Sequence, residues 1–248
     1  MKDLTWLRDN LIAHRGLHSL DQSVPENSLE SFRLAIESGY SIEFDINLTK
    51  DDVVVVFHDF NLNRMFQINQ NIDEFTYNDL KTFKLKNNEH IPTLKEVLDL
   101  VSGKVPILIE LKPHGNVKKL CKAFMEEMEN YNGKYAAFSF HPSVVYYLKK
   151  HHKDVIRGQI SEYFKSDQKM SKFAKFLMKR MSFNILTKPD FISYGIYDMP
   201  NKYLDKLKKK GITIISYVVR SQNDFDFVKT HYHNVVFEYF DPKKKVLK

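Results

Sequence analysis

A TIM-type (β/α)8 barrel is the fold this sequence predicts, and two features predict it. Short β-branched or aromatic runs alternate with amphipathic helical patterns, which implies parallel strands joined by helical crossovers. Eight such units in 248 residues also match the length of that barrel, about 250 residues. An open doubly wound sheet is the alternative architecture.

The predicted strands are 11–16 (LIAHRG), 41–48 (SIEFDINL), 105–112 (VPILIELK), 135–140 (YAAFSF), 155–160 (VIRGQI), 190–194 (DFISY), 212–219 (ITIISYVV) and 235–239 (VVFEY). Helical spacing covers 28–38, 94–101, 117–129, 143–150, 201–210 and 222–230. A further run, VVVVFHD at 53–59, follows the second strand after only TKDD, too short for a crossover and rich in turn formers, so it reads as a hairpin. A turn centred between Lys50 and Asp51 pairs residues whose numbers sum to 101 and sets His58 beside Glu43. Residues 60–92 carry few regular signals and read as a small insertion over one side of the barrel mouth. Residues 1–248 read as one barrel domain, with no repeat, low-complexity tract or Pro/Gly linker to divide it.

Hydrophobic residues make up 43% and charged residues 28%, which excludes a disordered or collagen-like chain. The one cysteine, Cys121, provides neither an internal disulfide nor a thiolate metal site, and a reducing, cytoplasmic compartment fits it. No run approaches the roughly 20 apolar residues of a spanning helix, and the N-terminus has no export signal. The net charge of +7 attracts anions. Its Lys and Arg residues are scattered, without a recognition motif, which argues against nucleic acid. The oligomeric state is left open.

Polar residues inside strands carry the functional argument. In SIEFDINL, Ile42, Phe44, Ile46 and Leu48 alternate with Glu43, Asp45 and Asn47, so one face packs on helices and the other points acids inward. The same alternation puts Leu108, Glu110 and Lys112 on one face, and Ile12 with His14. Buried carboxylates cost several kcal/mol each without a cation or a dense hydrogen-bond network. Glu43, Asp45 and Glu110 therefore predict hard oxygen ligation of Mg²⁺ or Ca²⁺; salt bridges from Glu43 and Glu110 to Arg15 and Lys112 are the structural alternative. His14 and His58 are candidates for general acid and base, because imidazole titrates near neutral pH. Asp59 either orients an imidazole or caps the loop after it. In SVPENSLESF, Asn27 with Glu30 reads as a helix cap first and a ligand contact second, and Glu26 is placed to pair with Arg15.

HRG at 14–16, PENS at 25–28, EFD at 43–45, TKDD at 49–52, FHD at 57–59, IPTLKEVL at 91–98 and IELK at 109–112 follow one another in the order and spacing of the glycerophosphodiester phosphodiesterases. SF at 139–140 continues the resemblance, which spans essentially the whole chain. It implies a phospholipase C-like phosphodiesterase barrel, with His14 and His58 as catalytic acid and base. Glu43, Asp45 and Glu110 are then the metal ligands, and Arg15 and Lys112 the cations that contact phosphate. The implied reaction cleaves a glycerophosphodiester to glycerol 3-phosphate and an alcohol, through a cyclic phosphate. The segment after FHD departs from the family, reading NLNRMFQINQN and keeping Arg64 but not the usual Arg-Thr-Thr run. Near the C-terminus YVVR, with Tyr217, stands where Trp-Thr-Val-Asn is usual, and FE at 237–238 where Thr-Asp is.

Lysophospholipids are the alternative substrates, cleaved in lysophospholipase D fashion, with Phe164, Phe173, Phe176, Met178 and Tyr217 accepting a fatty chain. A non-catalytic phospholipid-binding barrel is the alternative outside enzymes, and two titratable histidines argue against it. In 171–183 (SKFAKFLMKRMSF), Phe173, Phe176 and Leu177, with Met181 as a further candidate, recur at helical spacing among Lys172, Lys175, Lys179 and Arg180. This stripe reads first as a barrel helix packing on its own core, and second as a peripheral contact with an anionic membrane.

Overall fold

The computed structural model describes residues 2–165, 168 and 170–243. Its elements are α1 (Thr5–Asp9), β1 (Ile12–His14), α2 (Leu29–Glu37), β2 (Ser41–Leu48), β3 (Val54–Val56), α3 (Asn63–Phe66), α4 (Tyr77–Leu80), α5 (Leu94–Val101), β4 (Ile107–Leu111), α6 (Val117–Met128) and β5 (Tyr135–Ser139). They continue with α7 (Pro142–His151), β6 (Ile156–Ser161), α8 (Lys172–Lys179), α9 (Asn184–Thr187), β7 (Phe191–Gly195), α10 (Lys202–Lys209), β8 (Thr213–Val219), α11 (Gln222–His231) and β9 (Asn234–Phe237). Strand and helix alternate as in the predicted (β/α)8 class. All eight predicted strands form, together with the hairpin strand β3. The chain divides into two compact units, Ile12–Ala137 and Met1–Leu11 with Phe138–Lys248.

In the first unit β1 and β4 both run parallel to β2, with His14 opposite Glu43 and Asp45 opposite Glu110. Both faces of β2 are covered. Phe44 meets Phe32 of α2 with ring centroids 5.5 Å apart, while Glu43, Asp45 and Asn47 are buried on the other face. The strand pattern thus does what alternation predicts: it spends one face on packing and leaves a row of polar groups inside.

The hairpin register differs from the predicted one by a residue. Ile46 faces Val56, Asn47 faces Val55 and Leu48 faces Val54. The turn is longer than a two-residue connection: Thr49 N–H donates to Val53 O (3.1 Å), and Asp52 takes a left-handed conformation with φ 67°. Phe57, not His58, therefore bonds back to β2, through its N–H to Asp45 O at 3.0 Å. His58 lies past the end of β3 and is not Glu43's cross-strand neighbour.

The segment 60–92 folds on β3. Leu62, Ile72, Leu80 and Ile91 form a buried cluster with Val55 and Phe57, and Phe66, Phe75 and Phe83 pack against it. Its helices α3 and α4 have only four residues each, too few to produce a periodic signal. The same reason hides α1 in the other unit. Its Trp6 and Leu7 are buried, and the buried Asn234 donates Nδ2–H to Leu7 O (3.0 Å) and Asn10 O (2.6 Å). In that unit β6, β7, β8 and β9 pair parallel in sequence order.

The β1–α2 loop contains four left-handed residues, of which Arg15 (φ 52°), Gly16 (φ 79°) and Asn27 (φ 54°) set the geometry of its polar groups. Asn27 N–H donates to Arg15 O (3.0 Å) and Leu17 N–H to Ser31 O (2.9 Å), closing the loop onto the start of α2. A Cβ on Gly16 would lie 2.4 Å from Ser31 Oγ and 2.8 Å from the Ser31 carbonyl carbon. Gly16→Ala is therefore expected to cost at least about 2 kcal/mol, combining left-handed strain with displacement of α2. Urea unfolding of the variant measures it.

Candidate active site

Register alone brings the three predicted acids together. Glu43 and Asp45 are two residues apart on β2, Glu110 is the cross-strand partner of Asp45, and one carboxylate oxygen from each lies within 4.8 Å of the others. All three are buried. Lys112 reaches back to this row, with Nζ 3.0 Å from Asp45 Oδ1 and 3.3 Å from Glu110 Oε1. Arg15 Nε is 3.5 Å from Asp45 Oδ2, and the Arg15 backbone N–H donates to Glu43 Oε2 at 3.2 Å. His14 Nε2 is 3.9 Å from the same Glu43 oxygen.

These charges do not share their cations evenly. For Asp45, burial works against ionisation, but Lys112, His58 and Arg15 outweigh it and hold the carboxyl well below the usual range. Glu43 is the opposite case. Burial, then the charges of Asp45 and Glu110, push its carboxyl well up. Glu110 is also raised, by burial first, with Lys112 opposing. Lys112 itself is pushed up to about 12, since Asp45 and Glu110 overcome its desolvation. The cluster is thus short of positive charge in the protein alone.

A second arm of alternating charge runs outward from Arg15. Its NH1 is 2.7 Å from Glu26 Oε1, and the same carboxylate takes both terminal nitrogens of Arg64, at 2.6 and 3.0 Å. Arg64 Nε donates to Asp59 Oδ2 at 2.5 Å, and Asp59 Oδ1 is 2.5 Å from His58 Nδ1. Asp59 therefore orients an imidazole, the first of its two sequence readings. Burial would raise its carboxyl, but the hydrogen bonds with His58 and Arg64 bring it down to about 2.

Asn27 does not cap α2. The cap is Ser28, whose side chain accepts from Ser31 N–H at 3.1 Å, and Asn27, turned by its left-handed φ, donates Nδ2–H to Asp45 Oδ2 at 3.0 Å. Its Oδ1 is buried without a protein hydrogen-bond partner. The Glu26–Arg15 pair is as expected. Arg64 was visible only as a retained residue in an otherwise divergent segment; its 38-residue separation from Glu26 gives no local signal. Lys112 also lines a cavity of about 250 Å³ together with Asn47, Phe60, His114, Asn116 and Lys119. His114 stacks on Phe60 with centroids 3.6 Å apart, and burial, then Lys112, lower it to about 4, so it is neutral at pH 7.

The model of the glycerophosphoryl diester phosphodiesterase family matches residues 14–237, from the first site histidine almost to the end of the described chain. The chain belongs to this family. Glycerophosphodiester phosphodiesterase 1 from Bos taurus is 26% identical over 90% of this chain and 76% of its own length. A human lysophospholipase D is 33% identical over 49% of this chain and 41% of its own length. Among solved structures, a phosphodiesterase from Oleispira antarctica in complex with the product sn-glycerol-3-phosphate superposes with a TM-score of 0.79, at 22% identity, covering 94% of this chain and 93% of that one. The fold of this glycerophosphoryl diester phosphodiesterase family member is accordingly the TIM barrel.

Two outcomes follow from the Asp59 arm. Asp59 has a depressed folded-state carboxyl, so its contribution to stability is complete above the unfolded value near 4 and is lost as pH falls toward about 2. Asp59→Asn is expected to lower stability at pH 7 by roughly 2 kcal/mol, and the melting curves of variant and wild type should converge as pH falls from 5 toward 3. A constant gap across that range would show that the carboxylate's charge is not what Arg64 and His58 hold.

Proposed function

We propose that this chain is a divalent-metal-dependent phosphodiesterase that hydrolyses glycerophosphodiesters to glycerol 3-phosphate and an alcohol, by histidine acid–base catalysis through a cyclic phosphate. The observation that carries the reading is the Glu43–Asp45–Glu110 cluster, flanked by two cations and two imidazoles in a member of this family. Three buried carboxylates with Glu43 driven toward its neutral form, and a partnerless Asn27 oxygen beside them, fit a hard cation. Mg²⁺ or Ca²⁺ held by Glu43, Asp45 and Glu110 would supply Lewis-acid stabilisation of the phosphate's negative charge.

The residues of the chain do the rest. Arg15 and Lys112 bring positive charge to the phosphodiester, lowering the repulsion that protects it from nucleophiles. Asp59 Oδ1, 2.5 Å from His58 Nδ1, orients the ring and leaves Nε2 for the substrate. His58 then takes the proton of the glycerol C2 hydroxyl as that oxygen bonds to phosphorus. His14 gives its proton to the departing alcohol oxygen as the old P–O bond breaks. Water opens the cyclic phosphate with the two histidines exchanging roles. The cavity beside Lys112 offers room for one arm of the diester. The similarity to a lysophospholipase D supports lysophospholipids as a second substrate class for the same chemistry.

Release of glycerol 3-phosphate from glycerophosphocholine, glycerophosphoethanolamine and lysophospholipid, each with and without chelator, tests the proposal. Chelation should abolish turnover and Mg²⁺ or Ca²⁺ restore it; full activity of the chelated protein would end the metal assignment. Cation saturation should also raise the melting temperature by about 5 °C or more, and Glu43→Gln should lose that increment without lowering the melting temperature of the metal-free protein. His14→Ala and His58→Ala should each reduce kcat by about a hundredfold or more. An analogue without the C2 hydroxyl should be inert, and its normal cleavage would replace the cyclic phosphate by direct attack of water.

A further inference from the structure

Within the stripe at 171–183 Met181 is buried, but α8 does not pack as a barrel helix normally does. No residue of α8 is buried. Phe173 is 71% exposed and Phe176 41%, and on the next helix, α9, Ile185 is 81% and Leu186 59% exposed. Four large apolar side chains within 14 residues of chain are thus offered to solvent, where scattered single ones would be ordinary. Phe164, by contrast, is buried, and with Tyr217 it flanks the ring of Phe140 at centroid distances of 6.1 and 5.9 Å. The five residues expected to accept a fatty chain therefore do not share one environment: Phe164 is buried, Met178 and Tyr217 are half-buried, and Phe173 and Phe176 are exposed.

The exposed face is held in place rather than left loose. Ser161, at the end of β6, donates Oγ–H to Met178 O at 2.7 Å, and Tyr194 of β7 donates its hydroxyl to Lys179 O at 2.9 Å. These bonds fasten the last turn of α8 and leave Phe173 outward. They also fasten it near the carboxyl ends of β6 and β7, the end at which barrels of this class bind substrate.

Charge decides what such a face would meet. Residues 170–189 contain Lys172, Lys175, Lys179, Arg180 and Lys188 and no acid. The cations lie against the apolar groups: the Arg180 guanidinium is 3.9 Å from the centre of the Phe176 ring, and the Lys149 ammonium of α7 donates to Leu186 O and sits 5.8 Å from the ring of Tyr146. A second copy of the chain would set these cations against their like. We propose that α8 and α9 form a peripheral docking surface for anionic lipid membranes, with Phe173, Phe176, Ile185 and Leu186 entering the interface and the Lys and Arg side chains meeting phosphate headgroups. The proposal is independent of the reaction assigned above. No helix among the described residues is long and apolar enough to cross a membrane, so attachment here is to the surface.

Co-sedimentation of the full chain with phosphatidylcholine vesicles, with and without phosphatidylglycerol, tests it. Binding is expected to the anionic vesicles at low salt, and to fall away at high salt or without the anionic lipid. Lys172→Glu with Lys175→Glu should weaken it about thirtyfold or more. Phe173→Ser with Ile185→Ser should weaken it about tenfold or more, with circular dichroism and melting temperature unchanged because none of the four positions is buried. Absence of wild-type binding at low salt overturns the proposal. So does binding that survives loss of Phe173 and Ile185, and so does self-association, abolished by the same substitutions, in a protein that ignores vesicles.

Discussion

Asp45 and Glu110 face each other on neighbouring parallel strands, with Glu43 two residues below, and three buried carboxylates so close repel strongly. Much of the surrounding structure answers that repulsion. Lys112 projects from the same strand face as Glu110 and bridges the two acids. Arg15 contributes its guanidinium to Asp45 and its backbone N–H to Glu43. Asn27 adds a hydrogen bond to Asp45. Asp45 is thereby kept ionised while Glu43 is forced toward its neutral form. The arrangement is poor for stability by itself and suited to a divalent cation, a conflict of the kind expected where function sets the residue choice.

The same electrostatic demand explains the loop between β1 and α2 and the segment after β3. Arg15 and Asn27 reach the acids only because the chain turns through left-handed conformations at 15, 16 and 27. Glu26 then faces inward and needs cations, which Arg15 and Arg64 supply. Arg64 sits on α3, within the segment whose apolar core rests on β3, so the packing of Phe57, Leu62 and Ile72 positions the cation. Through Asp59 the chain of charge ends at His58. An imidazole that the hairpin register leaves beyond the strand is thus fixed by its hydrogen bond with Asp59 instead of by the sheet ladder.

The apolar surface of α8 and α9 stands apart from this logic. Two of its anchoring bonds run through backbone carbonyls, and Phe173, Phe176, Ile185 and Leu186 are left exposed. They combine with five cations and no acid over residues 170–189, which makes this a property of the surface and not of the core.

The sequence by itself determined the alternation of strands and helices, the inward row of Glu43, Asp45, Glu110 and Lys112, and the two histidines, because period-two and helical patterns are local properties of the chain. The seven ordered motifs that marked the family were equally local. Tertiary structure decided the rest. One left-handed residue, Asp52, shifted the hairpin register, and a turn's conformation is not readable from its composition alone. The choice of Ser28 over Asn27 as helix cap depended on Asp45, 18 residues away, claiming the amide. The Glu26–Arg64 pair closes over 38 residues, and only the folded insertion brings its partners together. For α8, periodicity marked an apolar stripe but not whether protein would cover it, since burial belongs to the neighbours a helix meets and not to the helix itself.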